Sequence, residues 1–328
     1  MALDIGALPR HEAKGSSLEW VWMAIGVVIL IAAPFFVYPV FLMEMLCMAL
    51  FACAFNLLIG GGGLLSFGHA AFFGGAGYIA AETAKAFGFP FELAILAGTV
   101  TAAFLGFIAG IIAIRRSGLI FAMVTLALAE VVYFLALRLP FTHAEDGIQG
   151  VPRGWLFGIV NLNNNMAMYY TTAGIFFLGY LLVRRVWMSP FGQVLRAIKD
   201  NQPRMISLGF PVDRYKLMNF VLSATLAGVA GSLKAIALGL VTLTDVDFTT
   251  SVAVLLMVLL GGMGTLMGPV VGAIIVVAMD EYLAGIGVPV PVVIGVIIVL
   301  IILVFRRGLV GEFLYYLRKF RTRRAAPG

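Results

Sequence analysis

Between Trp20 and Phe305 the chain is a succession of apolar runs separated by short polar clusters, with no sustained polar-apolar alternation. A helix crossing the hydrocarbon core needs about 20 predominantly apolar residues. About ten segments fit: roughly 20–38, 40–59, 64–86, 92–114, 118–138, 166–184, 217–240, 248–261, 264–284 and 290–305. The joints at 38–40 and 261–264 are tight and the eighth segment is short, so a broken or re-entrant helix is open at either joint. The pattern predicts an all-α protein, a polytopic transmembrane helical bundle. Composition agrees: 62% of the residues are apolar, 12% are charged and the mean hydropathy is +1.05, against roughly 45–50% apolar and about 25% charged in soluble domains.

Charge then orients the bundle. Of the 22 Lys and Arg residues, Lys85, Arg138 and Arg153 fall in outer segments and Lys234 inside a span, while the rest collect on one side when the amino terminus is cytoplasmic. That asymmetry follows the positive-inside rule and places both termini in the cytoplasm. The expected organisation is a cytoplasmic segment over 1–19, a membrane domain over 20–306 and a basic cytoplasmic tail over 307–328. Because the first apolar run is long, carries Pro34 and Pro39 and leads straight into another, it reads as an uncleaved span and not as a signal peptide. The net charge of +6 is thereby explained by topology, with no nucleic-acid partner implied. Cys47 and Cys53 share one apolar stretch and read as small core residues.

Two polar connections are long enough to act, an external one over about 139–165 and a cytoplasmic one. The cytoplasmic one, about 185–216, opens with Ser189 before Pro190, a serine N-cap followed by proline at the first helical position. Val194, Leu195, Ile198, Ile206 and Leu208 alternate with Arg196, Lys199, Asp200 and Arg204, and Gly209 with Pro211 ends the second piece. Two short amphipathic helices at the inner membrane face are expected. They serve either as a lipid-held interfacial element or as a coupling element that seats in a separate ATPase. The chain contains no Gly-Lys-Ser/Thr, so nucleotide hydrolysis belongs to partners.

The run Phe191-Gly192-Gln193-Val194-Leu195-Arg196-Ala197-Ile198-Lys199-Asp200-Asn201, with Leu208-Gly209 and Arg214-Tyr215-Lys216, resembles the signature loop of LivM-type permeases of branched-chain amino-acid ABC transporters. The likeness continues at Phe220-Val221-Leu222-Ser223-Ala224, Val258 to Pro269, Leu64 to Gly74 and Arg307 to Gly311, and covers roughly 40–312. The resemblance implies a type II ABC importer permease in the bacterial inner membrane, with a second homologous permease, two ATPases that bind ATP and Mg, a periplasmic solute-binding protein, and membrane lipid around it. This chain itself would hold no cofactor, metal or catalytic residue. The loop after the sixth span would meet the ATPase, through Phe191, Leu195, Arg196, Ala197, Lys199, Asp200, Asn201, Leu208 and Gly209. Similar permeases move urea, short amides or aromatic acids, so the solute stays open. The family more often has a Tyr and a polar residue in the stretch that is Gly60 to Gly63 here, so no side-chain role is carried over to it.

Four consecutive glycines make a continuous helix through 60–63 unfavourable. Beyond them Ser66, His69 and Phe73 are expected on one face of the third span, and Glu130 stands mid-span among apolar residues, as Glu44 does nearer an end. Ionisable groups at membrane depth are costly and tend to face a cavity, so Ser66, His69, Phe73 and Glu130 are candidates for a translocation path, with buried hydrogen bonding as the alternative. The glycines at 74, 77, 106, 110, 264, 268 and 272 read mainly as helix-packing positions. Outside, Glu145, Asp146, Arg153, Asp245, Asp247 and Asp280 are candidates to receive the binding protein, or form an ordinary solvated rim. An ion-coupled secondary transporter would also show broken helices and intramembrane acids but needs no basic amphipathic loop. A membrane-embedded enzyme is disfavoured, because three histidines at 11, 69 and 143 are too scattered for a metal cluster.

Overall fold

The computed structural model describes residues 26–285, 292, 293, 295, 296 and 308–312. The amino-terminal segment 1–19, most of the tenth apolar segment and nearly all of the basic tail lie outside the described residues. A short apolar helix α1 (Gly26–Phe35) ends in a 3-10 turn. After a three-residue joint, Pro39 starts α2 (Pro39–Asn56), which continues as a π turn over Leu57–Gly61. Then come α3 (His69–Lys85), α4 (Phe91–Ala113), α5 (Leu119–Arg138), α6 (Asn165–Met188), α7 (Pro190–Asp200), α8 (Gln202–Ser207), α9 (Val212–Leu238), α10 (Phe248–Gly261) and α11 (Gly268–Ala284). Two-residue strands β1 (Ile148–Gln149) and β4 (Leu240–Val241) pair antiparallel, as do β2 (Trp155–Leu156) and β3 (Val160–Asn161).

Among the described residues, five helices are long and apolar enough to cross a membrane: Pro39–Gly61, Phe91–Ala113, Leu119–Arg138, Asn165–Met188 and Val212–Leu238. Shorter α3 and α11, with 17 residues each, and α10, with 14, complete the bundle. The third segment departs from its expected start: Leu64 to Gly68 are not helical and α3 begins at His69. Conversely, the second helix runs farther into the glycines than their flexibility suggests, because Gly60 and Gly61 stay wound in the π turn and the break falls at Gly63, whose φ is +67°.

Helices α2, α3 and α9 form the centre. α4 lies on α3 and α9, α6 on α2, and the α10–α11 pair packs against α2. The middle of α2 is buried all round, whereas α4 turns Leu93, Leu96, Val100, Phe104, Phe107 and Ile111 outward at helical spacing. Such a surface is suited to lipid and not to water. The opposite face of α4 is small: Ala94, Gly98, Ala102, Gly106, Gly110 and Ala113 are buried at nearly four-residue intervals. A Cβ on Gly98 would sit 2.1 Å from Ser232 Oγ, and one on Gly228 would sit 2.3 Å from Ala102 Cβ. Lipid offers no hydrophobic drive to bring helices together, so close van der Waals contact between small residues does that work. The packing reading of the glycines holds for Gly74, Gly77, Gly106, Gly110, Gly268 and Gly272; Gly264 instead adopts φ +82° in a turn with open space around its Cβ direction.

Loops sort to two ends of the bundle. At one, Lys85 Nζ donates to the Gln149 carbonyl (2.7 Å) and the Val151 amide to the Gly239 carbonyl (3.0 Å), tying 85–90, 139–164 and 239–247 together. At the other lie the π turn, α7, α8 and the 262–267 turn. Segments assigned by charge to opposite sides of a membrane thus occupy opposite ends.

The tightest contact on the α3–α9 seam gives a direct check. A Cβ on Gly231 would fall 1.8 Å from the Phe73 carbonyl oxygen. Gly231→Val is expected to lower stability by at least the ~1–3 kcal/mol typical of overpacking, while Phe104→Leu on the outward stripe changes it by no more than ~0.5 kcal/mol. Thermal unfolding followed by size-exclusion chromatography in detergent measures both.

Candidate functional site

The two helices expected in the polar connection form, and their ends are capped by the residues in place. The Ser189 hydroxyl accepts from the Gly192 amide (3.3 Å) at the start of α7. Asn201 Oδ1 accepts from Arg204 N–H (3.1 Å) at the start of α8, a cap that follows from the Asn-x-Pro-Arg order. Gly209 ends α8 at φ +84°, with the Phe210 amide bonding back to the Met205 carbonyl (3.1 Å). Ile198, Met205 and Val212 make a small core of their own, flanked by Val194, Ala197 and Tyr215. Phe191 stacks on Tyr215 at 5.6 Å, and Lys216 Nζ donates to Gln202 Oε1 at 2.7 Å.

Several residues expected to face a partner instead hold this pair to the bundle. Leu195 is fully buried. The Arg196 guanidinium donates to the Trp187 carbonyl (2.9 Å) and lies over the Trp187 ring; partial burial lowers its pKa and the nearby Asp200 opposes that shift. Lys199 Nζ donates to the Gly60 carbonyl (3.0 Å), and its stem would meet any Cβ on Gly63 at 2.8 Å. Glycine at 63 therefore serves both a left-handed backbone and the passage of a lysine side chain. Lys199 itself, Asp200, Asn201, Leu208 and Gly209 remain exposed, joined by Ile206 and Phe210.

The π turn is the foot of a column of polar contacts. Ser223 donates to the Ala54 carbonyl (2.5 Å), Asn219 Nδ2 to the Leu57 carbonyl (3.2 Å) and Lys199 to that of Gly60, at three-residue intervals along α2. Asn56 reaches the other way, donating to the Thr265 carbonyl (2.9 Å) and accepting from the Gly264 amide (3.1 Å). The non-helical 64–68 stretch passes back into the bundle and is met likewise. The Phe67 amide donates to Thr125 Oγ1 (3.2 Å), the Gly68 amide to Ser66 Oγ (3.3 Å), and the Ala70 amide to Ser251 Oγ (2.8 Å). Irregular backbone is tolerated at membrane depth when protein groups satisfy it.

The candidate path residues separate on this geometry. Ser66 precedes α3, so it shares no helical face with His69 and Phe73, and its hydroxyl serves the local turn. His69 is fully buried; with Ser223 donating to Ala54, its Nε2–H donates to Ser223 Oγ at 2.8 Å. Phe51, Phe55, Phe72 and Phe220 surround its ring, and Nδ1 has no partner among the described residues. Phe73 stacks on Phe51 at 4.4 Å. Both are interior residues of this chain. Glu130 is the opposite case: it is exposed on α5, beside the exposed Met123, Val131 and Phe134.

At the other end the expected rim divides as well. Glu145 and Asp146 are exposed on a 3-10 turn and Asp280 on α11, while Asp247 is half-buried and accepts from Thr249 Oγ1 (2.6 Å). Asp245 is only 4% exposed. Lys234 Nζ donates to it at 2.5 Å, and its second oxygen accepts from the Thr242 amide at 3.0 Å. Arg153 also turns inward, donating to Asn165 Oδ1 (2.6 Å) and the Ala237 carbonyl (2.7 Å). Pairing with groups at the ends of α6 and α9 and in the Thr242 turn removes these two from the rim. Sequence reasoning missed Asn56, Asn219, Thr125 and Ser251; the signal available was their isolation as polar side chains in apolar runs.

A bundle with a lipid-suited exterior, a polar-laced helix break and a capped helix pair beyond one end fits a multi-pass membrane permease. The chain belongs to the family described as branched-chain amino acid transport system, permease component, whose model matches residues 40–305. It is 30% identical over 250 residues to the high-affinity branched-chain amino acid transport system permease protein LivM of Salmonella typhimurium, and 29% identical over 249 to that of Escherichia coli. Each match covers 69% of this chain and 59% of the relative. A probable branched-chain amino acid transport permease protein LivM of Methanocaldococcus jannaschii is 30% identical over 41% of this chain and 37% of its own. The chain thus spans about three fifths of the two enterobacterial relatives. No solved structure matches.

The Lys199 tie is testable by itself. Hydrogen bonds to charged groups contribute roughly 1.5–3 kcal/mol, so Lys199→Met is expected to speed amide hydrogen exchange in 57–64 and in α7. Lys199→Arg is expected to retain part of the protection, and Arg204→Ala to change neither segment. Exchange mass spectrometry on the detergent-solubilised chain reads all three.

Proposed function

We propose that the chain is the permease subunit of an ATP-driven importer in a bacterial inner membrane. It would work with a second, homologous permease, two ATPase subunits that bind ATP and Mg, and a periplasmic solute-binding protein. The solute proposed is a branched-chain amino acid, as the names of the matched relatives suggest, and the topology proposed is about ten spans with both termini cytoplasmic.

The observation that carries this reading is the α7–α8 pair, bound rigidly to the bundle yet apolar on its free edge. Ile206 and Leu208 are 56% and 63% exposed. On the same helix pair a groove of about 320 Å³ runs between α7 and the start of α9, lined by Phe191, Val194, Pro211 and Tyr215 among others. A lipid anchor would turn its apolar face to the bilayer, but that face of α7 is already covered by Met205, Val212 and the bundle. What remains outward is a knob with Asp200, Arg204 and Arg214 around it, suited to a protein groove. Movement of an ATPase against this knob would reach α2 through Lys199 and α6 through Arg196 and Trp187, and rigid-body rocking of the two permeases would follow.

Glu130 supports the second permease. A charged side chain at the centre of a spanning helix costs about 2.5–3.5 kcal/mol in lipid by insertion scales, and here it points away from its own bundle. The α5 face is proposed to meet the partner permease, with Glu130 lining the path between them. Glu145, Asp146, Asp247 and Asp280 are proposed to orient the binding protein, where complementary charge accelerates docking.

Reconstituting the complex in vesicles and comparing uptake of radiolabelled leucine, urea and benzoate tests the reading; ATP-dependent accumulation of leucine is expected. Leu208→Asp should reduce uptake to the ATP-free level while the two permeases still assemble, and unchanged uptake would count against ATPase docking at this edge. Glu130→Leu should lower the leucine uptake rate with assembly intact; a wild-type rate would remove Glu130 from the path.

A further inference from the structure

We propose that the β2–β3 hairpin is immersed in the bilayer surface, as a lipid-facing anchor of the loop that carries it. Its exposed apolar side chains are Trp155, Phe157, Ile159 and Val160, with Phe157 75% and Ile159 81% exposed, and the one exposed polar side chain is Asn161 at the end of β3. No charged residue occurs from Gly154 to Val160. The nearest charge on that loop, Arg153, is turned into the bundle by its bonds to Asn165 and Ala237. The hairpin tip is held in place: the Phe157 amide donates to the Glu92 carboxylate, and Leu162 beneath it is fully buried. Phe157 adopts φ +49°, a backbone region uncommon for a bulky residue, and this places its ring outward.

Depth follows from the helix to which the hairpin is tied. α4 has 23 residues, about 34 Å at 1.5 Å per residue, slightly more than the roughly 30 Å hydrocarbon core. Its first turn, with Glu92, therefore stands at the boundary between acyl chains and headgroups, where aromatic side chains concentrate. From that turn the outward stripe of α4 begins with Leu93 and Leu96, and the exposed Phe87 and Phe89 lie on the connection just before it. The hairpin thus extends a surface that already faces lipid. Lipid is favoured over a protein partner because the patch is continuous with that stripe and its one charged group, the Glu92 carboxylate, is engaged by the Phe157 amide of the hairpin itself. The immersion holds whichever leaflet is involved; only naming it the outer leaflet rests on the proposed topology.

Site-directed spin labelling of the full chain in phosphatidylethanolamine–phosphatidylglycerol vesicles tests this, since native Cys47 and Cys53 are buried. A nitroxide at Ile159→Cys is expected to relax more with oxygen than with a water-soluble nickel chelate, approaching a reference label at Phe104→Cys. A label at Asn163→Cys, on the exposed polar side, should show the reverse. If the Ile159 label responds to nickel as the Asn163 label does, the proposal is overturned. Shielding from both relaxants that appears only in the assembled complex would assign the patch to a protein partner and would overturn it equally. Neither outcome touches the importer reading, which the uptake assay decides separately.

Discussion

An unpaired backbone group in a hydrocarbon environment costs several kcal/mol, and between Leu57 and Ala70 this chain abandons the regular α-helix inside its own bundle. The structure is organised around meeting that demand. The carbonyls of Ala54, Leu57 and Gly60 receive Ser223, Asn219 and Lys199, and the amides of Phe67 and Ala70 find Thr125 and Ser251. The donors and acceptors come from α5, α7, α9 and α10, so the break in one helix specifies the positions of four others. A fully wound α2 would need none of these side chains, and Asn219, Ser223, Thr125 and Ser251 would then be buried polar groups with less to satisfy.

The same constraint explains the division of helix faces. In lipid, apolar area does not distinguish inside from outside, so size does. Small residues on α4 and α9 let backbones approach, and Leu, Phe and Ile cover the surface. Glycine has different roles at different positions: at 228 and 231 it allows contact between helices, whereas at 63 and 209 it supplies a left-handed turn. A stripe of small residues does not by itself tell which role applies, as Gly264 shows.

Much of this was legible in the sequence because it is local. The apolar runs gave most helices to within a few residues, and Ser189, Pro190, Gly209 and Pro211 marked the ends of the α7–α8 pair through capping chemistry that acts within one turn. What was hidden depends on how separate elements come together in space. Leu195, Arg196 and Lys199 belong to a motif that invites a docking role, yet their partners are this chain's own core, Trp187 and Gly60. Asp245 looked like a rim acid until Lys234, inside a span, took it as partner. Ser66 and His69 fitted a helical face only on the assumption that the helix began before His69.

These displacements sharpen the mechanical picture. A docking element whose charged residues all faced a partner would be attached to its own bundle only by its chain ends, and a push on it would be absorbed by the two connections. Here the guanidinium of Arg196 and the ammonium of Lys199 grip separate helices, α6 and the π turn of α2, and a buried core joins α7 to α8. The grip on α2 falls where that helix is most deformable, at a widened turn followed by a glycine break. A displacement of the pair would thus bear on the joint from which the Ser223–His69 contact and the Asn56 bridge to the 264–265 turn both extend. The proposed lever would need stiffness outside the bundle and compliance at one turn within it, and Arg196 and Lys199, which the motif alone would have given wholly to a partner, are the side chains that attach the pair to α6 and to that turn.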